Sequence, residues 1–231
     1  MAGFTAPRAW AFTLLGLDGY CRARPNDTLA SACRVLFADR LLALLASAET
    51  PDWVWFEPAL AYDNARLCQA LILTGLACEE PSYVNAGLRT LRWLVSVQTA
   101  PLGYFRPVGS ASFGAIIREP RIFDQQPLEA AATISACHAA AQANDDRAWG
   151  RAALTAFSWF FGVNDLATAL LDETNGSCRD GLHPDRANEN RGAESTLAYL
   201  MALADMKSFT QMALRPPVQM IAPMVAQRRQ A

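Results

Sequence analysis

The sequence predicts an all-α fold, and three observations carry that expectation. Apolar positions recur every three or four residues along most of the 231-residue chain. Alternating β-branched runs of the kind that mark strands are scarce. Alanine-rich segments, each preceded by a polar cluster, recur at a spacing near 60 residues, the period of a paired helical repeat.

Helices are expected over 8–22, 27–47, 60–77, 81–98, 125–143, 145–162 and 191–206, with a short last one over 207–214. The first contains the apolar run Ala9 to Leu17. Only Arg8 precedes that run as a charge, and no small-residue cleavage site follows before Arg22 and Arg24, so it reads as a core helix rather than a secretion signal. Asp27 with Thr28, Pro81 with Ser82, and Asp145 supply start signals for the second, fourth and sixth. The third, fifth and seventh carry the small-residue stretches Gln69-Ala70-Leu71, Glu129-Ala130-Ala131 and Glu194-Ser195-Thr196. Arg215-Pro216-Pro217 stops the last helix, and 215–231 is expected to be a loosely held tail beyond a single domain spanning 1–214.

Composition narrows the function classes. With 52% apolar and 18% charged residues the chain has material for a sizeable core and too little charge for disorder. Twenty-two acidic against 20 basic residues leave a charge of -2, so no basic field exists to hold nucleic acid. No uncharged apolar stretch reaches the roughly 18–20 residues of a membrane span. The six cysteines form no C-x-x-C pair and the two histidines, His138 and His183, are far apart, which argues against a zinc cluster or a disulfide framework and for reduced thiols in a cytoplasm. No P-loop, G-x-G-x-x-G or serine nucleophile elbow is present, and the acidic stretch 165–180 lacks calcium-loop spacing. The expectation is therefore no cofactor and no metal.

Connections at 22–27, 77–81 and 143–145 are tight and make antiparallel helix hairpins. Those at 48–59, 99–124 and 163–190 are long, and loops of that length in a compact domain are usually functional. Segments starting at Tyr62, Phe123 and Asn188 align Asp63, Asp124 and Glu189, with 61 and 65 positions between successive acids. Alternating small-residue inner helices and bulkier outer helices, with Trp93, Trp149 and Trp159 on the outer set, would put every long loop at one end. Four hairpins are counted, an incomplete version of a closed ring of six.

The motifs Asp52-Trp53-Val54-Trp55-Phe56-Glu57, Tyr62-Asp63-Asn64-Ala65-Arg66-Leu67, Phe123-Asp124-Gln125-Gln126-Pro127-Leu128-Glu129, Cys178-Arg179-Asp180-Gly181 and Asn188 to Ser195 together resemble one family. It is the (α/α) toroid, similar to six-hairpin glycosidases, of bacterial proteins described as glycosyltransferases or attached to them. The resemblance runs over about 8–206. It departs in two ways: about two upstream hairpins of the family's domain are missing, and Cys68 stands where the family commonly has proline. The resemblance implies a carbohydrate-active module, associated with a glycosyltransferase and either glycosyltransferase-like or glycoside-hydrolase-like if catalytic. Its partner would be an oligosaccharide or glycan at the funnel mouth.

Glycoside chemistry needs one carboxylic acid to protonate the leaving oxygen and a second carboxylate as base or nucleophile. Asp63, Asp124, Glu129 and Glu194 are the catalytic candidates. Aromatic faces, planar amides and guanidinium groups suit sugar recognition, which nominates Trp53, Trp55, Glu57, Tyr62, Asn64, Arg66, Phe123, Gln125, Gln126, Asp180, Asn188 and Asn190 as binding residues. Tyr104 and Phe105 add further aromatic surface. The competing roles are structural. Asp63, Asp124 and Asn190 stand where helix caps belong, Trp53 and Trp55 could be packing, Arg66 could fasten a loop to Glu57 or Asp63, and Glu129 and Glu194 suit a helix dipole. His138 is expected to be a core histidine, and His183 is loop-borne. The alternatives to a carbohydrate-active module are a noncatalytic scaffold that binds a transferase chain or itself through raw toroid edges, and a shortened inactive gene product.

Overall fold

The computed structural model describes residues 3–112 and 121–213, with the backbone alone at 212 and 213. Within them it is all-helical: α1 Pro7–Ala23, α2 Thr28–Ala48, α3 Ala65–Cys78, α4 Pro81–Val97, α5 Pro127–Ala143, α6 Ala148–Ser158 and α7 Ala193–Ala213, plus one 3-10 turn, Ser110–Ser112. Among the described residues, extended backbone pairs only as isolated bridges. The expected tail over 215–231 lies outside the described residues.

Local chemistry explains where the expected boundaries moved. Asp27 caps α2 by accepting from the Ala30 N–H at 2.9 Å, as anticipated. Helix α3 starts at 65 rather than 60 because Asp63 takes a left-handed conformation, φ 53°, that a helix cannot continue through. Helix α5 starts at 127, not 125, because Gln125 is bridged to Leu182 and Pro127 opens the first turn. In α6, Asp146 rather than Asp145 accepts from the first helical N–H, Ala148, at 2.9 Å. That helix ends at 158, and a tight turn with Gly162 at φ 94° follows. The two helices expected over 191–206 and 207–214 are one continuous element, α7.

Packing gives two layers. Helices α1, α3, α5 and α7 pack on one another in sequence as an inner row, while α2, α4 and α6 each back the inner helix before them. The described residues thus make three hairpins and a fourth inner helix, α7; no helix within 3–213 follows it to complete the fourth hairpin expected. Inner helices come close through small side chains: Ala130, Ala131, Ala132, Ala136, Ala139 and Ala140 of α5 are all buried. Outer bulk fills the periphery, with Trp149 and Trp159 buried and Trp93 partly so. Each buried leucine or isoleucine, such as Leu67, Leu71 and Ile72, contributes about 1.5–3 kcal/mol by leaving water. All six cysteines are free thiols. Among the described residues no helix is long and apolar enough to cross a membrane.

The α3–α4 hairpin is the tightest pairing. A Cβ at Gly87 would sit 2.9 Å from the Cys68 carbonyl oxygen and 3.0 Å from the Ile72 nitrogen, both backbone atoms that cannot yield. Gly87→Ala should therefore lower the unfolding free energy by about 1–3 kcal/mol. Gly150→Ala in α6, where a Cβ meets nothing within 4 Å, should raise it by about 0.5–1 kcal/mol. Urea titration of both variants checks the opposite signs.

Candidate functional site

The polar loops do converge at the N-terminal end of the inner row. Arg8, in the first turn of α1, reaches across to the segment before α3. Its Nε donates to the Tyr62 carbonyl at 2.6 Å, Nη1 to Glu57 Oε2 at 2.7 Å and Nη2 to Asn64 Oδ1 at 3.1 Å. The guanidinium also lies 5.4 Å from the centre of the Tyr62 ring. From the other side Glu129, in the first turn of α5, accepts from the Asp63 N–H through Oε1. Its Oε2 accepts from the Asn64 N–H at 3.4 Å and Asn64 Nδ2 at 3.2 Å. One carboxyl therefore ties the start of α5 to the start of α3. These contacts also place the N-termini of α1, α3 and α5 together.

Burial decides what these residues can do. Glu129 and Asn64 are 0% exposed and Asp63 is 3% exposed, so they lie beneath the surface of the mouth. Asp63 Oδ1 lies 3.3 Å from Arg66 Nε, an ion pair whose geometry leaves that oxygen without a true hydrogen bond. Arg66 instead donates from Nη1 to Gln69 Oε1 at 2.8 Å. Burial, followed by the nearby charge of Asp63, pushes the Glu129 carboxyl up to about 7. Burial also raises Asp63, against the opposing pull of Arg66. Glu194 contributes charge to Asp63 and is itself exposed, which brings α7 to the same end.

The second and third polar segments are joined through backbone. Gln125 and Leu182 exchange N–H···O=C bonds, both at 2.9 Å. Only glycine fits at 181, with φ 134°, because a Cβ there would fall 1.9 Å from the Gln125 oxygen. Gln125 is fully buried, accepting from Trp159 Nε1 at 2.8 Å and donating to Asp165 Oδ2 at 2.6 Å. Asp165 also takes Arg106, at 2.5 Å, and the Tyr104 hydroxyl, at 2.7 Å. Against the upward push of burial, these donors hold its carboxyl below the usual range. Asp180 accepts from the Gly192 N–H at 2.7 Å and from Asn190 Nδ2, fixing the approach to α7.

Several expected roles change accordingly. Trp55 is fully buried and stacked on Trp93, with ring centres 5.7 Å apart, so it offers no sugar platform. Trp53 packs edge-on against the same ring and donates Nε1 to the Glu57 carbonyl at 2.7 Å. Gln125 is a fastener between Trp159 and Asp165, not a hydroxyl reader, because both of its amide atoms are occupied. Neither Asp63 nor Asp124 caps a helix: the caps of α3 and α5 are Asn64 and Gln126, both without a side-chain capping bond. Asp124 follows a cis Phe123–Asp124 peptide and meets His183, Oδ1 to Nδ1 at 2.9 Å, with the acid side chain 48% exposed. Glu189, aligned with the two aspartates in sequence, is an exposed partner of Arg179 at 2.5 Å.

Tyr62, Glu194 and Asn190 are exposed, while Glu57, Phe123, Asp124, Gln126 and Asn188 are partly so. Sequence reasoning passed over Arg8, whose signal was a cation in the first turn of a helix, against the dipole. It also left His183 without its partner. Three cavities, of ≈ 420, ≈ 530 and ≈ 210 Å³, open elsewhere on the chain, and the mouth residues line none of them. Among the described residues no cluster of His, Cys, Asp and Glu could hold a metal. No protein-family model matches the chain, and no curated protein matches it.

The raised Glu129 carboxyl makes stability depend on pH. The folded state holds that proton more tightly than the unfolded chain, so the associated stability is complete below about 4.5 and is lost as pH rises through about 7. Asp63 shifts in the same direction. Glu129→Gln should remove most of this slope: between those pH values the wild type should lose stability relative to the variant. Denaturant unfolding at half-unit steps checks the sign, and parallel curves would reject it.

Proposed function

We propose that the chain is a carbohydrate-active toroid module, associated with a glycosyltransferase, that holds an oligosaccharide or glycan across the N-terminal mouth of its inner helices. The observation that carries this reading is the convergence of the α1, α3 and α5 starts on one network, Arg8–Asn64–Glu129, with exposed polar and aromatic groups above it. The glycan contacts are assigned to the outer layer: the Tyr62 ring, the Asp124–His183 pair, Glu194, Asn188 and Asn190. The buried Asp63–Glu129 pair forms the floor. A carboxyl kept protonated near neutrality beside a second acid has the chemistry that glycosidic-bond protonation requires. In this state, however, both Glu129 oxygens are engaged with the α3 start, so binding is the primary assignment.

A second reading, a noncatalytic scaffold, is favoured by one specific observation. The arc's two ends expose large apolar side chains: Leu197, Leu200 and Met201 on α7, and Phe12 and Leu29 on α1 and α2. The two readings separate on purified protein. A monomer by light scattering that binds members of an oligosaccharide panel supports the glycan module, and an obligate oligomer without sugar affinity supports the scaffold. In the first case Tyr62→Ala and Asp124→Asn should each weaken binding about tenfold or more, with unchanged circular dichroism. Folded variants that bind as well as wild type would remove the mouth from the assignment.

A further inference from the structure

At the opposite end of the inner row lies a cavity of ≈ 420 Å³. It is bounded by the last turns of α1, α3 and α5 and the first turns of α2. Its walls combine an apolar side, Leu73 and Leu76, with Asp18, Arg22, Arg34 and Gln142. That volume falls in the range of small-molecule pockets, near the lower end. The charges on its walls are unevenly satisfied. Arg22 and Asp18 neutralise each other at 2.8 Å, and Asp18 is nearly buried. Arg34 has no carboxylate partner among the described residues, and its Nε–H is shut from water with no acceptor. A guanidinium donor left in that state carries an uncompensated desolvation cost.

We infer that this cavity binds a small monocarboxylate with an apolar body, its carboxylate taken by Arg34 and its hydrocarbon lying against Leu73 and Leu76. A carboxylate presents two coplanar oxygens to the guanidinium fork of Arg34, which lines the cavity. The charge must be single. Asp18 stands on the same wall, and the carbonyl ends of α1, α3 and α5 bring the negative poles of three helices here, so a phosphate dianion is opposed. An ammonium ligand is opposed by Arg34. Gln142, in the last turn of α5, supplies an amide for a polar substituent. This site is separate from the mouth and does not depend on the glycan reading.

Isothermal titration of the full chain with sodium hexanoate, hexylamine and inorganic phosphate tests the inference. The expected result is one saturable hexanoate site, no hexylamine binding, and phosphate at least tenfold weaker. Arg34→Gln should weaken hexanoate about tenfold or more. Arg34→Lys, which keeps the charge but not the fork, should fall between the two and carries the test if the glutamine variant does not fold. Absence of saturable hexanoate binding, phosphate binding as tight as hexanoate, or a lysine variant equal to wild type would each overturn it.

Discussion

The arrangement of the mouth depends on one carboxyl crossing between helices. Glu129 belongs to the first turn of α5, yet its two oxygens serve the start of α3, taking the Asp63 and Asn64 N–H groups and the Asn64 side chain. A helix start leaves its first N–H groups without partners, and here the α3 cap residue supplies no side-chain bond of its own. The neighbouring inner helix supplies the acceptor instead. Register between α3 and α5 is thereby set by a charged or proton-bearing group in a dry place, where an unsatisfied donor costs about 1–3 kcal/mol. The same burial that makes the bond worth keeping also raises the proton affinity of Glu129.

The rest of the mouth extends from that bond. Asn64 holds Glu129 on one side and Arg8 on the other, so three consecutive inner helices are linked through one amide. Arg8 then fixes the Tyr62 backbone and Glu57, and Trp53 closes the loop by donating to Glu57. Gln125 does the corresponding work further along the row, joining Asp165, Trp159 and the 182 backbone. What these fasteners produce is a fixed floor beneath a more exposed layer of Tyr62, Asp124, His183 and Glu194. On the glycan reading proposed above, such a floor would hold the exposed groups in order on binding.

The architecture was legible in the sequence because its cause is periodic. Small residues in α3 and α5 and tryptophans in the outer layer are the direct signature of inner and outer helices, and the tight connections correctly imply hairpins. Boundaries were less legible where a side chain's partner lies far away. Nothing local to Gln125 says that Leu182 will bridge it, and that bridge delays α5 by two residues. The candidate site divides in the same way. Residue type and loop position nominated Asp63, Asn64, Glu129 and Asp124, of which the first three are bonded together. Whether each faces solvent or fastens a helix depends on contacts 56 to 66 positions away, such as Asp63 with Glu129 and Asn64 with Arg8, and no spacing rule encodes those. Trp55 shows the limit most plainly, since an aromatic in a polar loop motif turned inward onto Trp93.

The Glu129 crossing can be measured at the atoms it serves. Native-state hydrogen exchange at the Asp63 and Asn64 amides should be slow in the wild type, because their acceptor is a buried carboxyl group on another helix. In Glu129→Ala those two amides should exchange faster by at least tenfold while amides in the middle of α3 and α5 change far less. Equal protection of Asp63 and Asn64 in both proteins would contradict the account, since it would mean that something other than Glu129 holds the start of α3 against the start of α5.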